Sequence, residues 1–379
     1  MMTLSPCLLV CRWYLSFRQA TVLLLGVAWA CLEGFAVAAL DEPTAVRLDA
    51  AVRAEMARQG VVGVAVGVLR GGEIVDLRSY GLADREKNLP VTEETVFNWA
   101  SNSKPLSAMA AMQLVAQGRL DLDADVRQYV PEFPAKAGVI TMRHLLCHQS
   151  GIPHYGEVVP TRRDYPQAQP FLDPVLALDT FNLTPLTFAP GENELYSSYA
   201  YILASAVVQR AGGQPHHRQI EERIAKPLNL TSLQLDLEFQ DQPHWAAGYV
   251  RDEAGKVVRA GEVAHYWKHG AGGYKSNIRD FARWAQAVLN HRLLDEATEK
   301  TMWTRQKLRD GTLTLRGLGF MVDEPNGLRV YHGGKQEEAT SRLVLYPGKR
   351  HGLVIMTNCG FGDPAAISTA IYKALSRDP

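Results

Sequence analysis

The chain has 379 residues, 40 of them basic and 40 acidic, and 46% of it is hydrophobic. That length suits one large domain or two smaller ones, and the apolar content is ordinary for a globular protein. The balanced charge argues against nucleic-acid binding and against a polybasic membrane surface.

No acidic residue precedes Glu33, Arg12 and Arg18 lead into an apolar run from residue 22 to residue 29, and Ala36-Val37-Ala38 offers a small-x-small cleavage site. Residues 1–38 therefore read as a signal peptide, with an apolar run short for a membrane span. The expected location is periplasmic or secreted, and an uncleaved N-terminal segment would be the one membrane contact. Removing that segment leaves Cys147 and Cys359 of the five cysteines. Two cysteines so far apart make no disulfide framework and are expected as free thiols.

Residues 48–56 have the spacing of a short amphipathic helix. Residues 61–69 form a dense β-branched run, Arg70-Gly71-Gly72 breaks it, and alternation resumes over residues 73–77; this predicts a β-hairpin. A helix is expected over residues 102–117, with Pro105 near the limit of where a first turn tolerates proline. Helices joined by Pro-rich and Gly-rich loops follow, including residues 199–210, ended by Gly212-Gly213. Residues 160–175 are spotted with proline and read as a loop. Gly270-Ala271-Gly272-Gly273-Tyr274 reads as a strand where backbones approach closely. Asn277 and Asp280 have the spacing of a capping box for a helix with Phe281, Trp284, Ala285, Val288 and Leu289 on its core face. Strands are expected at residues 317–322, 328–331, 342–346 and 353–357, and a closing helix at 364–375. The fold class is α+β: an antiparallel sheet flanked by helices. Its sheet part covers about 45–118 and 266–379, with a mainly helical insert at about 119–265, all in one catalytic domain of residues 39–379.

Ser101-Asn102-Ser103-Lys104 is the one S-x-x-K in the sequence, and it stands at the start of an apolar helix. A helix N-terminus favours developing negative charge, and the lysine can orient the serine hydroxyl or help take its proton. Two further elements join it: Tyr196-Ser197-Ser198, after Pro190-Gly191, and His332-Gly333-Gly334. A phenol beside a lysine is expected to have a depressed pKa and so to serve as general base and then general acid. A glycine-rich strand edge admits a substrate carbonyl to backbone N–H groups. His144, Cys147, His148 and His154, and separately His265 and His269, have spacings that metal sites also use. There is no H-E-x-x-H, no G-x-S-x-G and no G-x-G-x-x-G, so a zincin, an α/β-hydrolase elbow and a dinucleotide site are not indicated.

On these stretches, together with Leu120-Asp121-Leu122-Asp123, Tyr129-Val130-Pro131-Glu132-Phe133-Pro134, Arg143-His144-Leu145-Leu146 through Ser150-Gly151-Ile152, and Gly272-Gly273-Tyr274-Lys275-Ser276, the chain resembles the class C β-lactamase and penicillin-binding serine hydrolase family. Within it the likeness is to the branch of the mitochondrial serine β-lactamase-like protein and its bacterial relatives. The resemblance implies a β-lactamase/transpeptidase-like fold and an acyl-serine intermediate on an amide, peptide, ester or β-lactam substrate. It implies Ser101 as nucleophile, Lys104 as its partner, Tyr196 as base and Ser198 in the place usually held by asparagine. It places His332 where lactamases have the lysine of K-T-G, with Gly333, Gly334 and the Lys335 N–H along the substrate and oxyanion edge. The histidines near residue 148 would serve loop packing, and neither cofactor nor metal is expected. The partners are then a small-molecule or peptide substrate, with no nucleic acid. Two departures stand out. His332 holds a substrate carboxylate less firmly than lysine does, and Lys335, Glu337 and Glu338 bring bulky charges where the family usually has small residues. An alternative reading is a catalytically weak fold of this kind used for binding or self-assembly.

Overall fold

The computed structural model describes residues 39–155, 172–237, 244–261 and 265–376; the expected signal peptide and most of the 160–175 loop lie outside them. The chain enters through helix α1 (Glu42–Gln59), capped by the Asp41 carboxylate accepting from the Thr44 N–H and closed by Gly60 at φ 71°. Strands β1 (Gly63–Arg70) and β2 (Glu73–Asp84) then form the expected hairpin. Gly71 and Gly72 both take positive φ, 62° and 84°, as a two-residue turn matched to the twist of the strands demands. The run in β1 is apolar on both sides because both faces of the sheet are covered. Val64, Val66 and Val68 pack with Leu48 and Val52 of α1, while Ala65 and Leu69 join the main core.

Short strands β3 (Leu89–Pro90) and β4 (Val96–Asn98) lead to a single 3₁₀ turn, Ala100–Asn102, and to helix α2 (Ser103–Ala116). Helix α2 is apolar around nearly its whole circumference and is buried along its length, as a central helix must be. Helices α3 (Met142–Leu146) and α4 (Ser198–Gly212) belong to the middle of the chain, which also contributes strands β5 (Gln234–Leu235), β6 (Tyr249–Arg251) and β7 (Val257–Arg259). Strand β8 (Tyr274–Asn277) runs into helix α5 (Ile278–Leu289). Strands β9 (Met321–Asp323), β10 (Arg329–Lys335), β11 (Thr340–Tyr346) and β12 (His351–Thr357) precede helix α6 (Pro364–Leu375).

The main sheet has the order β3-β2-β1-β12-β11-β10-β9, and each of its pairings is antiparallel. Because β12 pairs with β1, the two ends of the sequence close one sheet around the middle segment. Helices α1 and α6 pack on one face and α5 on the other. Phe281, Trp284, Ala285, Val288 and Leu289 of α5 are all buried, as their spacing predicts. Cys147 and Cys359 are free and buried.

Three local expectations are corrected. Residues 270–273 are not strand: Tyr266–Ala271 is a 3₁₀ segment that reverses at His269 (φ 43°), and the strand starts at Tyr274. The close approach itself is there, since a Cβ on Gly270 would lie 1.7 Å from Ser107 Oγ. Residues 317–320 form a tight turn, with the Gly317 N–H bonded to the Phe320 carbonyl at 2.9 Å. Its Gly319 takes φ +88° against Ala108, which leaves the strand to begin at Met321. Asn277 caps α5 through the Asp280 N–H, but the Asp280 carboxylate turns to the Ser232 N–H and hydroxyl (2.7 and 2.6 Å), so the box is half made.

Candidate active site

Ser101 lies in the 3₁₀ turn before α2, one residue after Ala100, whose φ of 48° is positive. A non-glycine residue in that region is strained. The strain is held by packing: Asn102 Nδ2 donates to Ser341 Oγ (2.7 Å), and Ser341 Oγ donates to the Trp99 carbonyl (2.6 Å). The serine is thus presented ahead of the helix rather than on its face. Lys104, a turn later, is fully buried.

The Tyr196 hydroxyl donates to Ser101 Oγ at 2.7 Å. Lys104 Nζ sits 3.1 Å from the same oxygen, 3.0 Å from Ser198 Oγ and 2.6 Å from the Ala271 carbonyl. Four side chains from two separated stretches, with a backbone carbonyl from a third, therefore meet at one oxygen and one nitrogen. Burial holds the Lys104 amine well below the ordinary lysine range, and the charges of Lys268 and Arg316 push the same way. Among the described residues no carboxylate lies in ion-pair range of it. A neutral amine has two N–H groups, and Ser198 Oγ and the Ala271 carbonyl take both. In that neutral form the lone pair faces Ser101 Oγ, 3.1 Å away.

Tyr196 departs from the expectation of a depressed pKa. Burial pushes its phenol up to about 12, against the opposing hydrogen bond to Ser101 and the charge of Arg316. Desolvation disfavours phenolate and ammonium alike, so burial favours the neutral form of both partners. The tyrosine ring rests on His148 (4.5 Å between centroids) and meets His154 edge-on (5.4 Å). Those histidines carry the backbone around it, His148 Nδ1 accepting from the Ser197 N–H and His154 Nδ1 from the Ser198 N–H, each at 3.1 Å.

His332, Gly333, Gly334 and Lys335 line the same cavity of about 780 Å³ as Ser101, Tyr196 and Ser198. The geometry does not bear out His332 as a carboxylate anchor. Its Nδ1–H is spent on the Gly333 carbonyl at 2.7 Å, which leaves Nε2 an acceptor. Burial, with the nearby charge of Lys104, lowers its pKa to about 3. It is a neutral wall of the site. Gly334 is needed for close approach: a Cβ there would lie 2.3 Å from Ser341 Oγ and 2.4 Å from the Trp99 carbonyl. The Gln336 N–H bonds to the Ala339 carbonyl, closing the β10–β11 turn. By the alternation of an antiparallel ladder, the Lys335 N–H then points away from β11. It faces the edge that β9 leaves open, since β9 pairs only with Arg329, Val330 and Tyr331.

Of the three charges noted in the sequence, Lys335 and Glu337 are exposed on the cavity wall, while Glu338 is buried away from it. Sequence reasoning missed the Ala271 carbonyl, Lys268 and Arg316. Arg316 donates through Nε to Glu194 Oε1 at 2.7 Å, and its guanidinium lies 5.8 Å from the centre of the Tyr196 ring. No local motif marks these residues; only the folded chain brings them to the site.

The chain matches the Beta-lactamase family over residues 48–377. It is 37% identical over 198 residues to the esterase EstB of Burkholderia gladioli, a match covering 49% of this chain and 50% of that protein. It is 27% identical over 297 residues to the human mitochondrial serine beta-lactamase-like protein, covering 61% of this chain and 54% of the other. The chain spans about half the length of these curated relatives. Among solved structures it resembles the octameric penicillin-binding protein homologue of Pyrococcus abyssi, with a TM-score of 0.74 and 23% identity over 87% of this chain and 76% of that one. The expected β-lactamase/transpeptidase-like fold is thereby borne out.

Proposed function

The chain belongs to the Beta-lactamase family, and we propose that it is a serine hydrolase working through an acyl-enzyme on Ser101, with a small ester, amide or peptide as substrate. The observation that carries this reading is the Ser101 oxygen held between the Tyr196 hydroxyl (2.7 Å) and the Lys104 amine (3.1 Å). In acylation, Ser101 Oγ bonds to the substrate carbonyl carbon while its proton passes to the neutral amine of Lys104. The carbonyl oxygen takes the charge, facing the backbone N–H groups of Ser101 and Lys335. The bond to the leaving group breaks, the departing oxygen or nitrogen takes the Tyr196 phenolic proton, and the phenolate is reprotonated from the Lys104 ammonium. Water then repeats the sequence in reverse and releases the acid. This assigns the base role to Lys104 and the acid role to Tyr196, because burial favours the neutral amine and the neutral phenol. The likeness to EstB, named as an esterase, supports esters among the substrates.

Intact-mass labelling tests the reading. A fluorophosphonate adduct on the wild type but not on Ser101→Ala is the expected outcome; a folded wild type that takes no adduct would overturn it and favour the binding-fold alternative. Export is a separate proposal, carried by the leader in residues 1–38. Expressed in a bacterial host, the protein is expected outside the cytoplasm with a mass lacking that segment, and a cytoplasmic full-length product would refute it.

A further inference from the structure

Resting on that reading, we infer that a hydrogen-bonded clasp closes the acyl-side end of the cleft, so that the enzyme selects substrates with short acyl groups. The direction comes from the site itself. Tyr196 protonates the leaving group, so that group departs toward the end of the cleft where Tyr196, Arg316 and His332 gather. The acyl group then lies the other way along the β10 edge, past Lys335 toward Gln336.

At that end the turn after β10 is tied across to the segment that carries Ala271. Gln336 Nε2 donates to the Gly272 carbonyl at 2.8 Å, one residue beyond the carbonyl that holds Lys104. Two residues on, Glu338 Oε1 accepts from Asn98 Nδ2 and from His265 Nε2, each at 2.7 Å. His265 Nδ1 in turn accepts from Lys268 Nζ at 2.9 Å. In that assignment the imidazole satisfies an ammonium on one side and a carboxylate on the other. Gln336, Glu338, Asn98, His265 and Lys268 are all buried, the most open of them at 9% exposure.

Buried polar groups are costly unless paired; here Asn98, Glu338, His265 and Lys268 are bonded to one another and Gln336 to the Gly272 carbonyl, so the turn after β10 is tied to β4 and to the segment of residues 265–272. The arrangement fixes the separation of the cleft's two walls. It also explains the charge noted at Glu338: the carboxylate is not in the cleft but behind it, as the anchor of the clasp. An acyl chain that runs past Gln336 must break the Gln336–Gly272 bond.

The experiment compares p-nitrophenyl acetate, butyrate, hexanoate and octanoate on the wild type, Gln336→Ala and Gln336→Glu, with active sites counted by fluorophosphonate titration. The titration separates failure of this inference from failure of the serine-hydrolase reading, because an enzyme that takes the probe is a serine hydrolase whatever its chain-length profile. The wild type is expected to lose about tenfold in kcat/KM for each methylene the closed end rejects. Both variants are expected to raise the octanoate-to-acetate ratio at least about tenfold on the same scale. Glutamate keeps the bulk of glutamine but cannot donate to the Gly272 carbonyl, so it isolates the hydrogen bond from mere size. A wild type that turns over octanoate as fast as acetate overturns the inference. So does a ratio that moves in the alanine variant and not in the glutamate variant.

Discussion

Ser101, Lys104 and Tyr196 show how burial decides chemistry. A lysine and a tyrosine that stay protonated in water have their neutral forms favoured together when desolvated, one as a base and the other as an acid. Lys104 must be deprotonated to accept the serine proton, so kcat/KM is expected to rise with pH through the folded pKa of Lys104. That rise should end well below the ordinary lysine value of 10.5. Lys104→Arg, which cannot deprotonate near neutral pH, should abolish the acid limb together with the activity; a pH–rate profile of both enzymes checks it. Tyr196→Phe should depend on the leaving group. Amides, whose nitrogen must be protonated as it leaves, are expected to lose about 10²–10⁴-fold. p-Nitrophenyl esters, which leave as a stable anion, should lose far less, and equal losses on both would remove Tyr196 from the acid role. His332 makes the complementary point. The sequence offers a histidine where lactamases have lysine, but the fold spends its one N–H on the Gly333 carbonyl.

At the scale of elements, β10 is the piece that must fit most closely. Its Gly334 faces the strained turn of Ser101, whereas its Gly333 faces open space, where a Cβ would find its nearest neighbour at 3.7 Å on Arg342. Gly334→Ala is therefore expected to push β10 off the Ser101 turn and lower kcat about a hundredfold, with a stability loss of about 1–3 kcal/mol. Gly333→Ala serves as the control and should do little to either. Steady-state kinetics and thermal unfolding of the pair measure both effects. A similar contrast separates the legible elements from the misread ones. The β1–β2 hairpin and helices α5 and α6 announce themselves by period and turn residues, because each buries its own face. Residues 270–273 and 317–320 read as strand in the sequence because glycines beside apolar residues look like a close-packed strand. Their backbone instead turns against Ser107 and Ala108 of α2, a contact with no trace in the local sequence.

Across the whole molecule, the same burial that tunes the site makes the fold sensitive to acid. His148, His216 and His332 are all buried and all held below their ordinary value of 6.5. The unfolded chain binds protons at these histidines from about that pH downward while the folded chain does not. Their contribution is thus present above pH 6.5 and lost as pH falls toward the depressed values. The expected slope is about 1.4 kcal/mol per pH unit for each histidine. Urea unfolding followed between pH 7.5 and 5, with His216→Gln reducing the slope by one such increment, is the measurement; a flat profile would contradict it. His216 suits the test because it lies outside the cavity, bonded to Ser107 Oγ at 3.0 Å.

The sequence by itself determined the kind of fold and pointed to the groups proposed to react. Hydrophobic period, turn glycines and caps are local, and S-x-x-K, Tyr196 and the H-G-G edge are readable without coordinates. The tertiary structure alone decided which protonation states burial favours, the neutral role of His332 and the hydrogen bonds that tie Gln336 to Gly272 and Glu338 to His265. Each of those depends on how much water is excluded and on which distant backbone carbonyl lies within 3 Å. Solvent exclusion and long-range contact are properties of the closed sheet, which forms only when β12 returns to β1.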